Sequence, residues 1–259
     1  MRHLKSSVHK TFALLDYFTQ DHPEWGVTEL ARAMDTHKST VYRFLADLSN
    51  IGVVHKNEAT EKYRLGLKMF ELGNRVNLKS AFVDKTHPIL EEVARKITET
   101  VHIAIYKNDQ VFYVDKVTSP QGLTISSQIG TYVDSYATGL GKVLLAHLPA
   151  EAQDLALQLI KTNVKSYTKN TLVDPTILKD ELLKIKQKGY AIDREEYEIG
   201  LICVAIPIFN TSGNVVASLS ASGPSSRFNE KEVENYVKTL KEGADAISLA
   251  IGDFKPTIV

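Results

Sequence analysis

The sequence predicts a two-domain α+β protein: an N-terminal winged helix-turn-helix, a linker helix, and a C-terminal antiparallel sheet with flanking helices. Three observations predict it. Two short helical periods meet at a polar corner within residues 27–50. Two short alternating segments, 53–56 and 62–65, follow at once. Beyond residue 80 the pattern runs α-βββ-ααα-βββ-α, the order expected of an antiparallel sheet covered by helices.

The N-terminal elements follow from periodicity. Val8, Phe12, Leu15 and Phe18 are spaced to share one face of a first helix, with Ser6 or Ser7 as its N-cap. Leu30, Ala31 and Met34 mark a second helix, and the corner Asp35-Thr36-His37 breaks it. Val41, Phe44, Leu45 and Leu48 mark a third. In a helix-turn-helix this last helix enters the major groove and offers its N-terminal residues to base edges. Here those are His37, Lys38, Ser39, Thr40, Tyr42 and Arg43, all hydrogen-bond donors and none acidic, as a groove walled by phosphates requires. The strands 53–56 and 62–65, joined by the loop 57–61, form a basic hairpin whose Lys56, Lys62 and Arg64 are placed to touch phosphate.

Charge is arranged in the same sense. The chain is neutral overall, but residues 1–80 carry 12 Lys/Arg against 9 Asp/Glu, so the remainder is acidic by the same margin. The basic end faces DNA and the acidic end is held away from it. The single cysteine, Cys203, excludes an intrachain disulfide framework. The polar, basic start has no signal-peptide apolar core. The longest apolar run, 201–209, is far shorter than the roughly 20 residues a bilayer needs, so no membrane partner is expected and the location is read as cytosolic. In that compartment the sequon at Asn210 is only a turn.

Residues 66–80 carry Leu67, Phe70, Leu72 and Val76, more apolar surface than a solvated linker uses. They are expected to form a linker helix that packs on a second copy of the chain rather than on its own wing, since paired modules read paired half-sites. The division is 1–66 for DNA binding, 67–80 for the linker and dimerisation helix, and 81–259 for the second domain. In that domain a helix is expected at 87–98 and strands at 101–106, 111–117 and 123–129. Helices follow at 139–147 and 149–160, and at 174–189, where Asp174-Pro175 opens and Gly189 closes the last. Strands return at 190–193, 201–209 and 215–222. A final helix starts at Asn229 with Glu232 and buries Val233, Tyr236, Leu240, Ala244, Ile247 and Ile251.

The segments LARAMDTHKSTVYRFLADL, YRLGLKMFELG, IGTYVDSYATGLGKVLLAHLP and GYAIDREEYEIGLICVAIPIFNTSGNVVASLSASGP, with Arg227, give the chain a resemblance over nearly its whole length to the IclR family of bacterial transcription regulators. KSTVYRFL and EKYRLGLKMFELG resemble most the branch that controls pectin and hexuronate catabolism by sensing 2-keto-3-deoxygluconate. The resemblance implies a GAF-like second domain and a small carboxylate effector. It further implies binding to double-stranded operator DNA as a dimer or a dimer of dimers. The fold serves repression and activation alike; repression is the expectation here.

The matching pocket positions are Ile125 and Val133 as apolar wall, Gly139 and Leu140 for backbone amides at a helix start, and Asp193, Leu201, Cys203, Ser220 and Ser222 from the later strands. The chemistry agrees: amides at a helix start attract a carboxylate, and Ser220 and Ser222 share one side of a strand. The polar loop Asp134-Ser135-Tyr136 then favours a hydroxylated sugar-acid effector over an aromatic one.

Other chemistries fit less well. Gly139-Leu140-Gly141-Lys142 suggests a phosphate loop, but Tyr136 and Val143 stand where the motif needs Gly and Ser/Thr. His3, His9, His22, His37 and His55 lack metal-ligand spacing, as do His87 and His102, so neither metal nor cofactor is expected. An enzyme would use Cys203 as nucleophile with His102 or His147 as base, yet Cys203 lies in an apolar run without a local activating signature.

Overall fold

The computed structural model describes residues 6–76, 79–121 and 127–255. The chain divides into two compact units, Met1–Val76 and Asn77–Val259.

In the first unit α1 (Ser7–Leu15) is capped by Ser6, whose hydroxyl accepts from the His9 amide. Its buried face is Leu14 and Leu15, continued by Phe18 just beyond the helix, whereas Val8 and Phe12 are 62% and 61% exposed. Of the expected stripe, Leu15 and Phe18 are buried as expected, and Val8 and Phe12 are not. Helices α2 (Val27–Ala33) and α3 (Lys38–Asn50) bury Leu30, Ala31, Val41, Phe44, Leu45 and Leu48 as expected. Asp35 makes the corner between them by adopting φ +48°. Strand β1 (Glu24–Trp25) joins the hairpin β2 (Val54–Lys56) and β3 (Tyr63–Leu65) in the order β1-β3-β2. At two residues, β1 is too short to leave a periodic signal.

Helix α4 (Leu67–Asn74) follows, ending before residue 80. Met69 packs on the unit's core, while Leu67, Phe70, Leu72 and Val76 remain exposed. A π-helical turn (Lys79–Val83) leads into α5 (Asp84–Ile97).

The second unit is built on a six-stranded antiparallel sheet, ordered β6-β5-β4-β9-β8-β7. Its strands are β4 (Thr100–Lys107), β5 (Gln110–Val117), β6 (Tyr132–Asp134), β7 (Ala191–Arg194), β8 (Leu201–Phe209) and β9 (Val215–Pro224). Four further helices are α6 (Gly139–Ala146), α7 (Ala150–Asn163), α8 (Pro175–Lys188) and α9 (Glu230–Ile251). The third strand is placed differently from expectation. Residues 127–129 lead into a turn at Gly130, and the partner of β5 is β6. Ile125 and most of the expected strand 123–129 lie outside the described residues.

Alternation gives the sheet two unlike faces. On one, Val101, Ile103, Val204, Ile206, Leu219 and Ala221 pack with α5 and α9. The expected α9 stripe is buried throughout, and Gly243 lets α5 approach so closely that a Cβ there would meet Val93 Cγ2 at 2.5 Å. The other face carries small and polar side chains and is covered by α6, every residue of which is buried. The register places Asp193, Cys203, Ser222 and Thr100 in one cross-strand row, and Ala191, Ala205, Ser220 and His102 in the next.

Helix α6 lies close to the chain before it. A Cβ on Gly141 would fall 2.1 Å from the carbonyl oxygen of Ser135, where no side chain can yield. Gly141→Ala is therefore expected to destabilise the protein by about 1–3 kcal/mol, read as a lower denaturant midpoint; an unchanged midpoint would contradict this packing.

Candidate functional site

The first unit presents a groove between the start of α3 and the hairpin. Lys38 and Tyr42 line it with Thr28 and Arg32 of α2, and with Lys56, Thr60 and Lys62 of the wing. Lys38, Ser39, Tyr42 and Arg43 are exposed, Thr40 is half-buried, and His37 is exposed just ahead of α3. Two wing cations have acidic neighbours: Lys56 pairs with Glu61, and Lys62 with Glu29 at 3.4 Å. Glu29 also accepts from the Gly26 amide, which is the main reason its carboxyl sits below the ordinary value. Such exposed pairs are weak and screened by solvent, so a phosphate can displace them. Arg64 is not brought into this groove. It alternates with buried Tyr63 and lines the opposite face of the wing with Ser49, His55 and Met69.

The second unit holds a cavity of about 180 Å³ under the polar face of its sheet. Of the residues expected there, Val133, Leu140, Asp193, Leu201, Cys203 and Ser222 line it. Gly139 instead packs against Cys203, where a Cβ would lie 3.2 Å from the thiol sulfur. Ser220 is fully buried one row further along, beside rather than in the cavity wall. The wall also includes His102, which the sequence offered only as a base for an enzyme, and Tyr113, Ser127, Thr131, Tyr132, Thr138, Tyr197 and Glu198, which it did not single out. Strand register alone brings His102 and Tyr113 there, and register cannot be read from periodicity.

Three features set the cavity's chemistry. The hydroxyl of Thr138 accepts from the Gly141 amide at 3.1 Å, and its carbonyl from the Lys142 amide at 2.9 Å. Gly139 and Leu140 supply the first two amides of α6, those a helix cannot satisfy internally. Asp193 is buried and accepts from the Glu196 amide at 2.7 Å. Burial pushes its carboxyl up to about 7; the charge of Glu196 adds to the rise, and the Glu196 amide and Lys142 oppose it. Lys142 is buried too, joined to the Glu196 carboxylate and donating to the Ile192 carbonyl at 2.9 Å. It is a structural cation, not part of a phosphate loop.

The loop 134–136 is corrected as a source of pocket polarity. Ser135 donates to the Asp109 carbonyl, and Tyr136 to Asp134 and the Lys165 carbonyl. None of the three lines the cavity. The thiol of Cys203 is buried and pushed up to about 11, first by burial and then by Asp193. His147 hydrogen-bonds the Val143 carbonyl, and burial lowers its pKa. The geometry offers no activated thiolate.

Between its ordinary 3.8 and about 7, Asp193 holds a proton in the folded protein that it has lost in the unfolded chain. Stability therefore falls as pH rises through that window. The melting temperature is expected to decline from pH 5 to pH 8, and Asp193→Asn to flatten the decline. An unchanged slope in the variant would remove Asp193 as its source.

Comparison with known proteins agrees with both units. Residues 7–58 match the IclR helix-turn-helix domain, and residues 75–249 match the family described as bacterial transcriptional regulator IclR C-terminal. The HTH-type transcriptional regulator KdgR of Escherichia coli (strain K12) is 36% identical over 95% of this chain and 93% of its own length. XynR of the same organism, also an HTH-type transcriptional regulator, is 33% identical over 95% and 97%. The crystal structure of Thermotoga maritima IclR superposes with a TM-score of 0.76 at 34% identity, covering 95% of this chain and 98% of that one. No helix among the described residues is long and apolar enough to cross a membrane. The chain belongs to the IclR family of bacterial transcription regulators, whose helix-turn-helix binds DNA and whose C-terminal domain binds a small effector.

Proposed function

We propose that this regulator represses a catabolic operon and is switched by a small, hydroxylated sugar-acid-like carboxylate of the 2-keto-3-deoxygluconate kind. The observation that carries the ligand class is the composition of the cavity. Thr138 and Leu140, at the start of α6, lie in its wall, and amides at a helix start suit a carboxylate. The remaining wall alternates hydroxyl, imidazole and carboxyl groups with Val133, Leu140 and Leu201. At about 180 Å³ the space equals that of about six waters, which suits a small acid. The resemblance of the KSTVYRFL and EKYRLGLKMFELG segments to the hexuronate branch points the same way.

In this reading the carboxylate is held by the amides of Gly139 and Leu140 and by Ser222, and Asp193, in the same cross-strand row as Ser222, meets a polar group close to it. Val133 contributes apolar wall. A ligand shifts operator affinity only through unequal binding to the DNA-competent and incompetent states. Asp193→Ala is expected to weaken a sugar acid in calorimetry while the ligand-free protein keeps its operator affinity. Binding of only neutral or aromatic compounds, or loss of DNA binding in the variant, would overturn the assignment.

The DNA contacts proposed are His37, Lys38, Ser39, Thr40, Tyr42 and Arg43 in the major groove of the operator, with Lys56, Lys62 and Arg64 on phosphates. Arg64, on the far side of the wing, would need a different strand from the one Lys62 touches. Self-association through the exposed Leu67, Phe70 and Val76 of the α4 segment would pair two such modules as a dimer or a dimer of dimers. Arg43→Ala is expected to cost about 1–3 kcal/mol and to relax preference at one base pair. Lys62→Ala should weaken all sequences alike and lower the salt slope by about one. Footprint titrations at several salt concentrations separate the two, and unchanged base preference in Arg43→Ala would refute its role.

A further inference from the structure

His102 is a buried side chain that the reading above leaves without a task. It lies on β4 and lines the cavity at 2% exposure. Its Nε2 shares a hydrogen bond of 2.7 Å with the Ser127 hydroxyl, and its ring contacts that of Tyr113 at 5.2 Å between centroids. Orientation is therefore fixed from two sides. Its other nitrogen, Nδ1, is buried with no hydrogen-bond partner among the described residues. The same is true of the Ser220 hydroxyl, which the register places directly across from His102 on β9. The nearby Cys203 thiol is at best a weak partner for it. Leaving two adjacent polar groups buried and unsatisfied is costly unless a bound group meets them.

We propose that His102 selects the effector by hydrogen-bonding a hydroxyl remote from the effector's carboxylate. The inference rests on the sugar-acid reading above and specifies which part of the ligand the protein reads. Burial holds the imidazole neutral, its pKa brought down to about 3, with the Lys116 charge acting in the same direction. A neutral imidazole whose Nε2 faces a hydroxyl can take either tautomer, so Nδ1 either donates or accepts. A hydroxyl answers either, because it also donates and accepts. A methylene answers neither.

Position decides which hydroxyl. The start of α6 lies close to Cys203 of β8, since a Cβ on Gly139 would fall 3.2 Å from its sulfur. His102 stands two strands away on β4 and one row along, roughly 10 Å across the sheet. The group it meets is therefore several bonds from the carboxylate, not the one at C2.

The test is calorimetry on the full-length protein with two six-carbon 2-keto acids, 2-keto-3-deoxygluconate and 2-oxohexanoate, the latter without chain hydroxyls. The wild-type protein is expected to prefer the hydroxylated acid by about 10- to 100-fold. In His102→Phe the preference collapses to a few-fold, through weaker binding of the hydroxylated acid, while 2-oxohexanoate changes little. His102→Gln, which keeps a donor and an acceptor, retains an intermediate preference and carries the test if the Phe variant does not fold. Ser222→Ala weakens both acids alike.

Full preference in a folded His102 variant, or equal binding of the two acids by wild-type protein, overturns the role of His102 and leaves the acid pocket standing. Binding of neither acid overturns both. Binding of 4-hydroxybenzoate in preference to either acid, with unchanged affinity in His102→Phe, overturns the sugar-acid reading and His102 with it.

Discussion

Putting the ammonium of Lys142 inside the C-terminal unit removes a strongly hydrated charge from water, and the surroundings must replace that water. The carboxylate of Glu196 and the carbonyl of Ile192 do so. The three residues come from α6, from β7 and from the turn that follows β7. One ammonium thus ties together elements that border the cavity. The turn is fixed further by Thr171, which donates to the Glu196 carbonyl, and by Asp193, which accepts its amide. A set of apolar side chains of equal volume would hold these elements as firmly. The charges add a penalty for any arrangement that separates them, so the turn carrying Tyr197 and Glu198 stays at the cavity mouth. Asp193 is aimed by the same contacts, and its protonation follows from how dry they keep it.

Most of the fold was legible because burial on a helix or strand leaves a period. The α9 stripe, the capped and proline-started α8, and the hairpin of the wing are all written in local residue order. Misreadings occurred where the period is ambiguous. Val8 and Phe12 share a helical face with the buried Leu15, and only the tertiary neighbours decide how much of that face is covered. The strand β6 has three residues, of which Tyr132 is exposed, so it shows no alternation to read.

The site was legible in a different sense. Resemblance supplied Asp193, Cys203 and Ser222, which one cross-strand row brings together. It did not supply His102 or Tyr113, since a buried histidine on an apolar strand looks like any core residue in sequence. Conversely, the polar loop 134–136 looks like pocket lining in sequence, yet spends its hydroxyls on carbonyls and a carboxylate elsewhere. Polarity in a sequence reports that a partner is needed, not whether that partner is protein or ligand.

The sheet of the second unit has a kinetic consequence. Its central pair joins β4 to β9, residues 100–104 against 218–222. Neither strand can be zipped to the other until nearly all of the chain exists, and closing so large a loop is slow. The first unit has no such requirement: α2 meets α3, and β2 meets β3, within a few dozen residues. Domains fold in order of emergence during synthesis. Each newly made molecule therefore passes through an interval in which the DNA-reading part is folded while the part that governs it is not. In that interval the nascent regulator can meet DNA but cannot answer to its effector.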